Sequence, residues 1–245
     1  QITNAKNIPD IFSLVVAEGG NKEGYPVRSL FSINYKGLDH NTGIPQFVDE
    51  NGKTAAAVYL QDQKTEHLVY EGPVDPPLNG GFSNTFHYKA FSANIFITYQ
   101  AGNKIRLYPA FKTYYSDLDA MPREFNDRWV LPGDELLTNV PSIVEAFEAA
   151  QLNAAYPYNN YNYSTQRVAK GDFIRLKTVS LSYQLPANTI QRIGFNSVSF
   201  TATAANLWLI YADKKLKGQD PEFFNSGGVA QPIQKQITLS VKLGI

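Results

Sequence analysis
Apolar and polar residues alternate with a period of two along much of this chain, and the cleanest run lies within Gly171 to Pro186, GDFIRLKTVSLSYQLP. Val179, Leu181, Tyr183 and Leu185 are apolar, while Thr178, Ser180, Ser182 and Gln184 between them are polar. Successive side chains of a strand point to opposite faces, so the run predicts a strand with one greasy and one wet face. Pro186 ends it, having no N–H to give to a neighbour. Before Thr178 the phase changes: Ile174 and Leu176 occupy the positions that are polar further on, and Arg175 and Lys177 lie between them. Such a switch marks either a β-bulge or the point where a strand passes from an apolar medium into a polar zone. The plainer alternative is that Arg175 and Lys177 are solvated charges.

The same alternation predicts strands over Tyr25–Lys36, with Val27, Phe31, Ile33 and Tyr35 on one face, and over Phe195–Trp208, with Val198, Phe200, Ala202 and Ala204. It also spans Thr85–Gln100, where Phe91, Ala93, Ile95, Ile97 and Tyr99 share a face and Phe96 breaks the pattern. Ala101-Gly102-Asn103 then reads as a hairpin turn, with Lys104–Tyr115 as the returning strand. The final residues, QITLSVKLGI, set Ile237, Leu239, Val241, Leu243 and Ile245 against Gln236, Thr238, Ser240, Lys242 and Gly244. Soluble domains often leave their last residues loosely ordered, whereas a barrel-closing strand is held to its end.

Elsewhere the pattern lapses. Residues 54–84 read as a long loop with one short strand, because Pro73, Pro76 and Pro77 remove backbone donors and Gly80-Gly81 loosens the chain. Residues 141–152, PSIVEAFEAAQL, form the best helix candidate, with Ile143, Val144, Phe147 and Ala150 on one face. The tract that follows holds Tyr156, Tyr158, Tyr161 and Tyr163 among asparagines. Flat rings and amides suit contact with a sugar or peptide cargo, and equally suit a tyrosine-rich surface loop near a membrane interface.

Composition narrows the class. Tyr and Phe number 15 each, beside 17 Gly and 14 Pro, a mixture suited to strands and turns. Lys+Arg and Asp+Glu are 22 each, so no basic footprint for nucleic acid exists. Cysteine is absent, which excludes disulfides and thiolate metal sites. No apolar run approaches the roughly 20 residues of a membrane-spanning helix, a test that does not bear on barrels. His40, His67 and His87 lie in unrelated contexts, and neither a nucleophile elbow nor a phosphate loop is present. The pairs Asp49–Glu50 and Asp134–Glu135 sit in no acid–base motif, and DENG lacks the later ligands of a calcium loop, so it reads as a turn. No catalytic residue, metal ligand or cofactor is expected.

Several segments in order carry a resemblance. GDFIRLKTVSLSYQLP, NLWLIY (206–211), GQDPEF (218–223) and the terminal strand resemble the C-terminal end of SusC/RagA-type outer-membrane transporters. EGYPVRSLFSINYKGLD, PQFVDENGK, GGFSNTFHYKAFSANIFITYQAGNKI and RWVLPGDE are similar to the same family's preceding strands and loops. The resemblance implies an all-β fold: an antiparallel transmembrane β-barrel segment of about seven or eight C-terminal strands, with long extracellular loops. It implies importing rather than enzymatic activity in the outer membrane of a Gram-negative bacterium. The expected partners are the rest of the barrel and its plug, a SusD-like surface lipoprotein, TonB acting through the plug, the lipid bilayer, and glycan or peptide cargo.

In this reading residues 1–245 are one C-terminal barrel portion, the chain being a piece or processed product of something longer, with loops 37–84, 116–170 and 212–234 outside the cell. Plug and early strands are missing, and the last residue, Ile245, is not the aromatic common in such barrels. Two other classes compete. One is a soluble β-sandwich that binds carbohydrate through its Tyr-rich loop; the other, disfavoured by the motif search, is a secreted glycoside hydrolase domain.

Overall fold
The computed structural model describes residues 9–112, 115, 118, 121, 123–144, 146–151, 155–190, 194–224 and 234–244. The chain opens with α1 (Ile11–Val15), then β1 (Ser29–Ser32), β2 (Tyr35–Leu38), β3 (Pro45–Val48), β4 (Thr54–Ala55) and β5 (Val69–Pro73). Two long strands follow, β6 (Leu78–Tyr88) and β7 (Phe91–Ala101), before the short β8 (Lys104–Arg106). Helices α2 (Ala146–Gln151) and α3 (Ala155–Asn162) precede β9 (Val168–Lys170) and β10 (Phe173–Gln184). The chain closes with α4 (Ala187–Ile190), β11 (Ser197–Ala212) and β12 (Gln236–Gly244).

These elements fall into two compact units, one of Gln1–Asp75 with Lys104–Ala169 and one of Pro76–Asn103 with Lys170–Ile245. The second unit is a single antiparallel sheet in the order β12-β11-β10-β7-β6. It is open: among the described residues β12 and β6 have no further neighbour, and no barrel closes. Five long strands therefore replace the expected seven or eight. The remaining strands are two to five residues long and belong to the first unit, except that β9 ends on Lys170 of the second.

Several local expectations change. The strand β6 runs through Gly80-Gly81, which the glycines and nearby prolines had disguised as loop. A Cβ at Gly80 would come 2.7 Å from the Tyr99 hydroxyl, and one at Gly81 would come 2.7 Å from the Phe96 ring. The two glycines thus let rings of β7 lie against the β6 backbone. The hairpin partner of β7 is β6, through Lys89-Ala90, and Lys104 does not begin a returning strand along β7. Tyr25–Lys36 is broken into β1 and β2; β1 is buried on both faces, with Ser29 and Ser32 as inaccessible as Leu30. Within α2 the buried residue is Ala149, while Phe147 is exposed and Val144 is buried just ahead of the helix.

The phase switch at Lys177 is a bulge. Leu176 pairs with Ile97 and Thr178 with Phe96, so Lys177 has no opposite residue on β7. Against β11 the register also shifts here, from Leu176–Trp208 to Thr178–Ala205, and Asn206 takes the left-handed conformation with φ 54°. Ile97 and Ile95 share a face, and so therefore do their partners Leu176 and Val179. The apolar face continues past the bulge to Ile174 rather than ending there.

The first unit is held by side chains that satisfy backbone groups. Its core contains Ile11, Leu14, Val15, Phe31, Ile33, Phe47, Phe111, Phe125 and Tyr161. Arg106, 3% exposed, lies among them and donates to the carbonyls of Val15 (3.1 Å), Ser164 (2.9 Å) and Phe31 (2.6 Å) and to Ser32 Oγ (3.1 Å). Burial pulls its pKa down to about 9, an effect Glu71 partly opposes, so the guanidinium stays charged at neutral pH. Asn160 makes a paired contact, accepting from Val58 N–H (2.8 Å) and donating to Val58 C=O (3.0 Å). Asn162 does the same with Phe111, at 3.1 and 2.8 Å. In each case a side-chain amide replaces the strand that would otherwise pair with that backbone.

Two outcomes follow. Arg106→Met would remove four hydrogen bonds, to three carbonyls and Ser32 Oγ, and the first unit should lose about 3 kcal/mol or more, measured as increased protease sensitivity and a lower unfolding midpoint. Deleting Lys177 would remove the bulge while leaving Leu176 opposite Ile97 and Arg175 opposite Thr98, so the sheet should fold with close to its original protease resistance.

Candidate functional site
The sheet of the second unit presents two chemically opposite faces. Register places Tyr88, Phe91, Tyr183, Phe200 and Val241 in one cross-strand row, and Phe86, Ala93, Leu181, Ala202 and Leu239 in the next. Asn84, Ile95, Val179, Ala204 and Ile237 follow, then Phe82, Ile97, Leu176 and Trp208, and finally Gly80, Tyr99, Ile174 and Tyr211. Exposure on this face is high, reaching 80% for Leu239, 75% for Ile237, 70% for Tyr88 and 63% for Trp208. Aromatic rings gather at both ends and aliphatic side chains fill the middle. From Phe91 to Tyr99 is about 26 Å along the strand.

The opposite face carries hydroxyls and amides. Its rows include His87, Ser92, Ser182, Thr201 and Ser240, and next to them Thr85, Asn94, Ser180, Thr203 and Thr238. The Asn94 amide donates to Ser83 Oγ (3.1 Å), Asn84 O (3.3 Å) and Thr85 Oγ1 (2.8 Å), and Ser182 bonds Thr201 at 2.9 Å. Phe96, the one residue out of phase in β7, lies on this face opposite Thr178.

Connections differ at the two ends of the sheet. Residues 89–90 and 185–196 join strands at the Phe91 end, while the long connections 102–172 and 213–235 leave from the Tyr99 end. The end of β7 and the start of β10 are tied together there: Gly171 N–H donates to Asn103 O at 3.0 Å, and Gly102 N–H to Asp172 Oδ1 at 2.7 Å. A Cβ at Gly171 would lie 2.2 Å from the Asn103 amide, so this approach requires glycine.

Arg175, on the polar face beside Thr98 and Leu209, is not a solvated charge. Its side chain is 3% exposed and its Nη2 donates to Asp220 Oδ1 at 2.5 Å, Asp220 being inaccessible. Glu222 lies 3.3 Å from Arg175 Nε and 3.4 Å from Lys177 Nζ, so Lys177 also has an acidic partner. The pairing joins residues 45 apart in sequence, and charge alternation alone gave no sign of it.

Of the expected terminal-strand residues, Ile237, Leu239, Val241 and Leu243 lie on the exposed apolar face, and Ile245 lies outside the described residues. The Tyr/Asn tract forms a helix rather than a loop. Tyr158 and Tyr161 are buried, at 1% and 3%, and Tyr163 is partly buried in the same core; Tyr156 alone of the four is exposed, at 51%. Tyr158 Oη donates to Ser142 O (2.5 Å) and Tyr161 Oη to Asn139 O (2.9 Å), and burial pushes the Tyr161 phenol above its ordinary pKa. Two of the four rings expected to meet cargo are thus core residues. The DENG turn links β3 to β4, with the Asp49 carboxylate accepting from the N–H groups of Asn51 (2.9 Å) and Lys53 (2.8 Å).

Known proteins with related sequence and fold agree with this architecture. No family model matches the chain. A TonB-dependent receptor of Formosa agariphila is 31% identical over 157 residues, covering 62% of this chain and 14% of the relative. A second TonB-dependent receptor of that organism is 23% identical over 212 residues, covering 82% of this chain and 19% of the relative. The chain thus spans less than a fifth of the length of these curated relatives. Among solved structures, the RagAB peptide importer in its open-open state superposes with a TM-score of 0.66 at 21% identity, over 91% of this chain and 23% of that one. The RagAB peptide transporter gives a TM-score of 0.65 at 23% identity with the same coverage. The names these relatives carry are those of receptors, an importer and a transporter, not of enzymes. The chain is a relative of the TonB-dependent receptors and has the fold of part of the SusC-like barrel in the RagAB structures.

Proposed function
We propose that this chain supplies part of the wall of an outer-membrane active transporter that takes up bulky nutrients, oligosaccharides or peptides. The observation that carries the reading is the exposed apolar face of the five-stranded sheet, backed by a face of hydroxyls and amides. A water-soluble sandwich would cover such a face with a second sheet about 10 Å away; in this sheet Leu239 and Ile237 stay exposed. Lipid is the medium that accepts them. At a strand tilt of about 40° the span from Phe91 to Tyr99 projects to about 20 Å, near the roughly 25 Å apolar band of outer-membrane barrels. The rings of Tyr88, Phe91, Phe200, Tyr99, Trp208 and Tyr211 then act as the two interfacial girdles.

The wet face lines the passage. Barrels of this kind have short turns on the periplasmic side and longer loops outside, so the end bearing residues 102–172 and 213–235 is extracellular. Both edges of the sheet need partner strands, because lipid leaves no unpaired backbone group satisfied. These come from the rest of the barrel, whose plug would receive energy through TonB, and a SusD-like lipoprotein would cover the outer opening. Support for the two-component arrangement is the likeness to the RagAB importer, and the residues of this chain supply wall and loops rather than bond-breaking chemistry.

Neighbouring positions of β12 test the assignment. Leu239→Arg should destabilise the assembled receptor by about 2–4 kcal/mol and deplete it from the outer membrane, whereas Ser240→Arg should assemble normally. Equal amounts of both variants in the membrane would sink the lipid-face reading. A second measurement uses fluorescence. In the whole receptor reconstituted with brominated lipids, replacing Trp208 by Phe should remove a strongly quenched component, and replacing the buried Trp129 should remove an unquenched one.

A further inference from the structure
Residues 213–224 leave the end of β11 and fold back over the polar face of the sheet. Asp213 starts the segment, its Oδ1 accepting from Lys215 N–H (2.9 Å) and its Oδ2 from Lys170 N–H (2.8 Å). A single 3-10 turn follows, and Lys217 and Gly218 reverse the chain with φ 52° and 89°. Leu216, Asp220, Pro221 and Phe224 are buried. Arg175 stands on the polar side of β10, opposite in direction to Ile174 and Leu176, and reaches Asp220. The segment must therefore cross the wet face and not the greasy one.

The fastening is ionic, between a buried guanidinium and a buried carboxylate. Burying an ion pair gains little over well-packed hydrophobic side chains, but removing one partner of such a pair is costly. The joint is also incomplete: Asp220 Oδ2 has no hydrogen-bond partner among the described residues, and Arg175 Nε, 3.3 Å from Glu222, makes an ion pair without a hydrogen bond. Glu222, the second acid, is about one-third exposed and divides its contact between Arg175 and Lys177. A joint with spare capacity on both members and a half-open second acid can be released and remade by a local charge change. A greasy plug would not respond in this way.

We propose that residues 213–224 are a strap, fastened across the wall by the Arg175–Asp220 pair, that narrows the outer end of the passage and is released when that pair opens. This rests on the wall reading above, which makes the polar face the lumenal one. Residues at the extracellular end of a lumen meet cargo before the plug does, so the strap would act on the size of what enters.

The chain has no cysteine, so single thiols can be introduced into the whole receptor once cysteines elsewhere in it are removed. Leu216→Cys, on the buried side of the strap itself, should react slowly with a membrane-impermeant maleimide. Adding Asp220→Asn or Arg175→Met should speed that reaction about tenfold or more, with heat-modifiable mobility confirming an assembled barrel. Equal rates in assembled variants overturn the strap. Narrowing is read at Ser180→Cys on the wet face, by comparing a small maleimide with a polyethylene-glycol maleimide of several kilodaltons. The small reagent should react in every variant, and the large one only when the pair is broken. A large reagent equally excluded after release overturns the narrowing. A Ser180→Cys unreactive even to the small reagent counts against the lumenal face itself, separately from the Leu216→Cys result.

Discussion
A sheet one layer thick with a greasy face needs a medium or a partner for that face, and this need governs the second unit. Leu239, Ile237, Leu181 and Phe86 show half or more of their surface, yet each lies in a regular strand whose alternate residues are hydroxyls or amides. Hydrophobic burial cannot have built this sheet from within, because no apolar layer covers it among the described residues. What holds it is the backbone ladder, strengthened by hydroxyl and amide contacts such as Asn94 with Ser83 and Thr85. Inside an apolar medium that ladder becomes obligatory, since no water competes for the N–H and C=O groups. The same surface that would be an aggregation hazard in water is then a requirement of the fold.

The first unit solves the opposite problem. It has long connections and short strands, and irregular backbone that is buried needs partners that are not strands. Asn160 and Asn162 each close a two-bond pair with one residue far away in sequence, Val58 and Phe111. Arg106 gathers the carbonyls of Val15, Phe31 and Ser164, which come from three separate segments. Buried polar side chains therefore do here what the ladder does in the sheet. Their cost shows in the lowered pKa of Arg106, and hydrogen bonds offset it.

How much of this could be read from residue order depends on the range of the interaction. The period of two in β7, β10, β11 and β12 was legible because neighbouring residues belong to opposite faces of the sheet, one apolar and one polar. The strand β6 has the same alternation through Phe82, Phe86 and Tyr88, but Gly80-Gly81 hid it: the reason for those glycines is the rings of β7, across the hairpin. The Tyr/Asn tract misled in a related way. Asparagine and tyrosine are typical of exposed, ligand-contacting loops, and only the partners Val58, Phe111, Asn139 and Ser142 show that these polar groups are spent inside. Non-local pairing, including Arg175 with Asp220, leaves no periodic trace.

The bulge at Lys177 shows how one residue reconciles the two demands on β10. With every residue paired in turn from Thr178 backwards, Arg175 and Lys177 would share the phase of Val179 and Leu181 on the apolar face, while Ile174 and Leu176 would lie on the polar one. A charged group at such depth costs several kcal/mol. Because Lys177 is left out of the pairing, Ile174 and Leu176 keep the row positions beside Tyr99 and Ile97 and Arg175 faces Asp220. The apolar face keeps two more residues in length, and the polar face gains an anchor toward its Tyr99 end. Neither follows from the strand alone: Arg175 is an anchor only because residues 213–224 return with an acid at the right place.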